Sequence, residues 1–252
     1  MCSLGTSLRD SAVDSMLWPR LLGNRSFMPT YKVGGTECMV LTRDDATSWV
    51  LYCHGNAVTL SDLSLSGIPA AIVDKCRCNF VAPDYPLRVR KGKRYDDEVI
   101  QAVRSVYDEM CRIEGEPVYV MGRSIGVGVA LGACEHRAPA GLGLVSGFAS
   151  IKHMAPWALR WIVDNRFDNT TCISHMKSVP KLLLHGDADA VVPVNNAHLL
   201  ARAGGSCTVE IVPRMTHLPD LRDIHLIASK MAALTQGHTA PVHAPHYSLW
   251  QT

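Results

Sequence analysis

The chain has 252 residues, 47% of them hydrophobic and 19% charged, with a formal net charge of +2. That length suits a single α/β domain, and the apolar share is ample for a sheet buried under helices. The near balance of charge gives no support to a general nucleic-acid-binding role, and no apolar run is long enough to suggest a membrane span.

Residues 1–25 are mixed and poorly periodic and are read as an amino-terminal extension to a domain spanning 26–236. Residues 31–33 and 38–41 flank Gly34-Gly35, a pair that suits a tight turn between antiparallel strands. Short apolar runs then recur at 49–53, 78–82, 118–121, 142–145, 181–184 and 207–212, as expected of strands buried on both faces. Between them lie helical patterns. In the clearest, Val99, Val103, Val106 and Met110 form one stripe, with Asp96, Asp97, Arg104 and Asp108 elsewhere. Strand and helix in alternation predict an α/β fold: a mainly parallel sheet with helices on both faces and antiparallel strands at the amino-terminal edge. The stretch 237–252, rich in proline and histidine, is read as a tail outside the core. The nine cysteines are odd in number and include no CxxC pair, so they read as small buried hydrophobes in a reducing compartment. The amino terminus lacks the charged-then-apolar order of a signal peptide, and a cytoplasmic protein is expected.

Gly122-Arg123-Ser124-Ile125-Gly126 joins the strand at 118–121 to a helical run. Glycines are needed where a strand turns sharply into a helix, and such a turn lifts the Ser124 hydroxyl clear of the sheet. It also puts the Ile125 N–H at a helix start, where it can face an anion. A serine hydroxyl is a weak nucleophile until a base takes its proton. His217 follows the strand at 207–212, and Asp189 follows the strand at 181–184. Parallel strands deliver such loops to one edge of the sheet, so Ser124, His217 and Asp189 are read as nucleophile, base and orienting acid. Asp187 is the rival acid; Asp189 is preferred because it lies further into its loop. His185, Asp187 and Asp189 are not read as a metal site, because one loop seldom supplies a whole site. His54-Gly55-Asn56-Ala57 would bend back over the strand ends and bring the Ala57 N–H toward Ser124, where Ala57 and Ile125 would form an oxyanion hole. Met154, Trp157 and Trp161, three and four apart, would share one helical face of a small lid. They would line an acyl pocket or pack the helix down as core, and core is preferred.

These motifs resemble the α/β-hydrolase superfamily. The matching pieces are His54-Gly55-Asn56-Ala57, Asp84-Tyr85, Gly122 to Gly126, residues 179–186 with Asp189, and His217, spread over residues 48–225. The order Ser, Asp, His along the chain is that of the superfamily. The chain is most similar to the small serine aminopeptidase-like branch, which includes protein depalmitoylases. The resemblance implies ester or thioester hydrolysis through an acyl-serine, without a cofactor, on a small-molecule or acylated-protein substrate. Two features depart from that branch: Pro86 and a basic run (Arg88, Arg90, Lys91, Lys93, Arg94) replace a glycine-rich segment, and Cys2 stands alone near the amino terminus. The basic run is read first as a solvated loop; the alternative is peripheral contact with an anionic membrane, with Cys2 as a lipidation site. An aminopeptidase or amidase would need an acidic group for the substrate amine, and the sequence locates none. A non-catalytic binding module would be expected to lack a member of the triad, and all three are present.

Overall fold

The computed structural model describes residues 30–86, 94–112, 116–161 and 163–237. The expectations for residues 1–25, Cys2, Arg88, Arg90, Lys91, Lys93 and the tail beyond Gly237 fall outside the described residues.

The chain opens with β1 (Tyr31–Val33) and β2 (Thr36–Leu41), paired antiparallel across Gly34 and Gly35. Both glycines have positive φ, 56° and 83°, the backbone region such a turn requires. There follow β3 (Trp49–Cys53), α1 (Leu60–Leu65), α2 (Ile68–Cys76), β4 (Asn79–Pro83), α3 (Tyr95–Met110), β5 (Val118–Arg123) and α4 (Ile125–Cys134). The second half holds β6 (Gly141–Val145), the short α5 (Ile151–Met154), a 3₁₀ turn (Trp157–Leu159), α6 (Asn169–Ser174), β7 (Lys181–Gly186), α7 (Asn195–Gly204), β8 (Cys207–Val212) and α8 (Leu221–Gln236). The eight strands form one sheet in the order β1-β2-β4-β3-β5-β6-β7-β8, parallel from β4 onward and antiparallel at the β1–β2 and β2–β4 pairings. The chain steps from β3 outward to β4, then returns to place β5 on the other side of β3. That reversal opens a crevice at the carboxyl ends of β3 and β5, where α/β sheets place their ligands.

Alternation along the strands divides the core between two faces. Val118, Val120, Leu51 and Leu144 join α3, α4 and α6 on one face; Tyr119, Met121, Tyr52 and Val145 join α1, α2 and α8 on the other. The predicted α3 stripe is the inward one: Val99, Val103, Val106 and Met110 are fully buried, each side chain contributing about 1.5–3 kcal/mol. Asp96 departs from its predicted polar face. It is 3% exposed, pairs with Arg94 at 3.0 Å, and lies 3.6 Å from the guanidinium of the fully buried Arg166. Arg166 belongs to the segment after β6, so this cluster ties that segment to the start of α3. Among the described cysteines, Cys38, Cys53, Cys76, Cys78 and Cys134 are buried and unbridged. Among the described residues no helix is long and apolar enough to cross a membrane.

One glycine sets how closely α4 approaches the sheet. A Cβ at Gly126 would lie 2.1 Å from the Cys53 carbonyl oxygen and 2.5 Å from that of His54, both main-chain atoms that cannot swing aside. Gly126→Ala should therefore destabilise the protein by about 3 kcal/mol or more. Urea unfolding checks this, and an unchanged midpoint would mean that α4 and β3 can part without cost.

Candidate active site

Ser124 lies between β5 and α4 at φ 55° and ψ −124°, a conformation that L side chains seldom adopt. The turn is this tight because a Cβ at Gly122 would lie 2.5 Å from the Gly126 carbonyl oxygen. The main chain is pinned on both sides: Ser124 N–H donates to the Val145 carbonyl at 2.9 Å, and Val127 N–H donates to the Ser124 carbonyl at 3.0 Å. The hydroxyl itself stands at the crevice opened by β3 and β5. Ala57, Ser146 and Arg214, just past the ends of β3, β6 and β8, also have positive φ. Unusual backbone thus gathers on the edge that carries Ser124.

The predicted partners meet there. His217 Nε2 is 3.0 Å from Ser124 Oγ, and His217 Nδ1 is 2.8 Å from Asp189 Oδ2. The other Asp189 oxygen accepts the N–H groups of Val191 and Val192, at 2.9 and 2.8 Å. Burial alone would raise the Asp189 carboxyl; the Val192 amide, the His217 ring and the Val191 amide together hold it below its ordinary range. It is therefore ionised near neutral pH and draws the imidazole proton to Nδ1, which leaves Nε2 bare toward the serine. Asp187, the rival acid, is exposed and accepts the Arg214 N–H at 2.6 Å. It secures the turn that leads to His217 and does not reach the ring. His185 is buried against Asp189 Oδ2 at 3.5 Å and donates Nε2–H to the Val192 carbonyl at 2.8 Å. Burial lowers its pKa, so near neutral pH it packs there as a neutral ring.

On the opposite side, Gly55 packs against Ser124, since a Cβ there would come 3.7 Å from Ser124 Cβ. The loop that leads from Gly55 to Ala57 thus starts beside the turn of Ser124. Ile125 N–H stands at the first position of α4, where a helix leaves it without an intrahelical acceptor. His54 anchors the loop from beneath: its ring stacks on Tyr85 with centroids 3.9 Å apart, Nδ1–H donates to the Gly55 carbonyl at 3.1 Å, and Tyr85 O–H donates to the His54 carbonyl at 3.0 Å. Burial depresses the His54 pKa from 6.5 to about 4. A depressed histidine pKa means that the unfolded chain takes up the proton first. The stability from keeping His54 neutral is therefore complete above pH 6.5 and is lost as pH falls toward 4, a change of about 3 kcal/mol. His54→Phe, which keeps a ring on Tyr85, should flatten urea-derived stability across that window; an unaltered acid loss would clear His54 of the effect.

Arg123 carries no motif signal of its own in the sequence, although alternation along β5 places it on the face of Tyr119 and Met121. It is 8% exposed, and its Nη2–H donates to the His217 carbonyl. The reading of Met154, Trp157 and Trp161 as one helical stripe is corrected. α5 ends at Met154, Pro156 interrupts, and a separate 3₁₀ turn begins at Trp157. Met154 packs at the edge of the core, whereas Trp157 and Trp161 are 84% and 82% exposed. Neither tryptophan is core. Val191 and Leu218, also exposed, lie on the connections leaving β7 and β8, and the exposed Leu221 opens α8. Of the basic run only Arg94 is described, and its charge is taken up by Asp96.

No protein-family model matches the chain, and no curated protein matches it. Solved structures do. TT1662 from Thermus thermophilus aligns over 83% of this chain and 96% of its own, with 18% identity and a TM-score of 0.64. A hormone-sensitive lipase from a metagenome library aligns over 90% of this chain and 91% of its own, with 17% identity and a TM-score of 0.64. Est1E from Butyrivibrio proteoclasticus aligns over 83% of this chain and 99% of its own, with 13% identity and a TM-score of 0.63. With the strand order, the elbow and these likenesses together, the chain has the α/β-hydrolase fold.

Proposed function

We propose that the protein is a serine hydrolase that cleaves a carboxylic ester or thioester through an acyl group carried on Ser124. The observation that supports this reading is the unbroken hydrogen-bonded series from Ser124 Oγ through His217 to Asp189. In this reading His217 Nε2 takes the hydroxyl proton as Oγ attacks the carbonyl carbon. The N–H groups of Ala57 and Ile125 receive the negative charge that gathers on the carbonyl oxygen. His217 then gives the proton to the departing alcohol or thiol. A water molecule, deprotonated by the same ring, releases the acid. Apart from that water and the substrate, each step uses groups of the chain, and this reading calls for no cofactor. Exposed Trp157 and Trp161 on the connection after β6, with Val191 and Leu218 beside the acid and the base, favour an apolar acyl group of some length on a small molecule or a protein. Contact with a membrane surface through the basic run is the further extension of this reading.

The test is labelling with a fluorophosphonate, followed by a panel of esters and thioesters of rising acyl length. The expected result is a single adduct on Ser124, and turnover that improves with chain length before it levels off. An unlabelled protein that leaves the whole panel intact would remove the proposal.

A further inference from the structure

Arg123 immediately precedes the nucleophile, yet its guanidinium reaches two other loops of the site. Nη2–H donates to the main-chain carbonyl of His217, the base. Nη1 lies against Gly55 in the Ala57 loop, close enough that a Cβ there would meet it at 3.2 Å. One planar group thus braces the loops that follow β3 and β8 from behind Ser124. Its surroundings are apolar: Arg123 lines a small cavity with Tyr52, Met121, Val145 and Ile224. Its Nε has no hydrogen-bond partner, and no carboxylate pairs with it among the described residues. The nearby Tyr52 phenol is no counter-ion, because burial pushes it up to about 12 despite the pull of Arg123. A buried, unpaired cation is a poor way to stabilise a fold, and an apolar side chain of similar size would serve packing better.

The place of contact explains what the cation does. Asp189 holds the imidazole at Nδ1, and its contact at Nε2 is the Ser124 hydroxyl itself, so apart from that bond the ring can pivot about Nδ1. Pivoting would swing Nε2 away from Oγ. Fixing the His217 carbonyl anchors the main chain from which the ring departs, so that only the side-chain torsions remain to carry Nε2 away.

We propose that Arg123 is a positioning residue, which holds the His217 carbonyl and braces Gly55 so that the imidazole stays in reach of the Ser124 hydroxyl. The proposal rests on the reading of Ser124 as nucleophile. The experiment compares the full-length wild-type protein with Arg123→Met and Arg123→Lys, using a short-chain p-nitrophenyl ester, fluorophosphonate labelling and thermal unfolding. Arg123→Met should remain folded and lose about 10- to 100-fold in kcat, with KM within about twofold and labelling slowed in step. Arg123→Lys keeps a cation and a donor but lacks the fork that reaches Gly55, and should fall between the two. A folded Arg123→Met protein with wild-type kcat, or one whose loss lies in KM, overturns the proposal. Should Arg123→Met not fold, Arg123→Lys decides: a kcat several-fold below wild type at unchanged KM supports the role, and wild-type kcat overturns it. Failure of the underlying reading looks different, since the wild-type protein would then neither turn over the ester nor take the label at Ser124.

Discussion

Ser124→Ala should yield a folded protein whose kcat is about a million-fold lower, the scale seen when a triad serine is removed from a well-studied protease. The loss corresponds to about 8 kcal/mol of transition-state stabilisation. It is that large because alanine leaves nothing for His217 to deprotonate and no atom to carry the acyl group. The fold should hardly notice. Among the described residues the Ser124 hydroxyl bonds only to His217, while the main-chain bonds to Val145 and Val127 survive the change. Hydrolysis that remains should proceed by direct attack of water, aided by the amides of Ala57 and Ile125, and should show no burst of released alcohol. Pre-steady-state kinetics on the purified pair checks this. A variant that keeps both the burst and the wild-type rate would place the nucleophile elsewhere.

Asp189→Asn and Asp187→Asn should differ sharply, by about four orders of magnitude in kcat. At position 189 the two backbone amides of Val191 and Val192 claim whichever oxygen is available. An asparagine there keeps its carbonyl oxygen on those amides and turns its NH₂ toward His217 Nδ1. That nitrogen must then accept, the ring proton moves to Nε2, and the base points a proton at the serine. At position 187 the side chain accepts a single bond, from Arg214 N–H, and an amide oxygen can do the same. Asp187→Asn should therefore keep activity within a few-fold. The reverse ranking, in folded variants with matched thermal transitions, would transfer the orienting role to Asp187.

The sheet and the meeting of Ser124, His217 and Asp189 were legible in the sequence for one physical reason. Strands buried on both faces must be apolar throughout, so they are visible as runs, and whatever directly follows them is delivered to a common edge. Ser124, Asp189 and His217 could be placed from chain position alone on that rule. The same rule brings Gly55 against Ser124 and puts Ile125 at the start of α4. The segment after β6 was not legible in this way. Met154, Trp157 and Trp161 have helical spacing, but Pro156 lies between them, and its ring and missing N–H end the helix at the first of the three. The helices α1 and α2 were also hard to see, because Gly67 and Pro69 punctuate one crossover and each piece is short. Asp96 and Arg123 show a further boundary. A charged side chain reads as surface until its partners are known, and those partners, Arg94 and Arg166 for one and the His217 carbonyl for the other, come from the strand-end connections where pattern carries least information.

The elbow carries a lesson for anyone who would engineer this chain. Ser124 is held at φ 55° and ψ −124°, a conformation that costs a residue with a side chain on the order of 1–3 kcal/mol. Glycine adopts it freely, so a redesign scored on thermal robustness would favour glycine at position 124, improve the melting temperature and discard the hydroxyl on which the proposed activity rests in the same step. Position 124 belongs among the residues frozen before any such search begins.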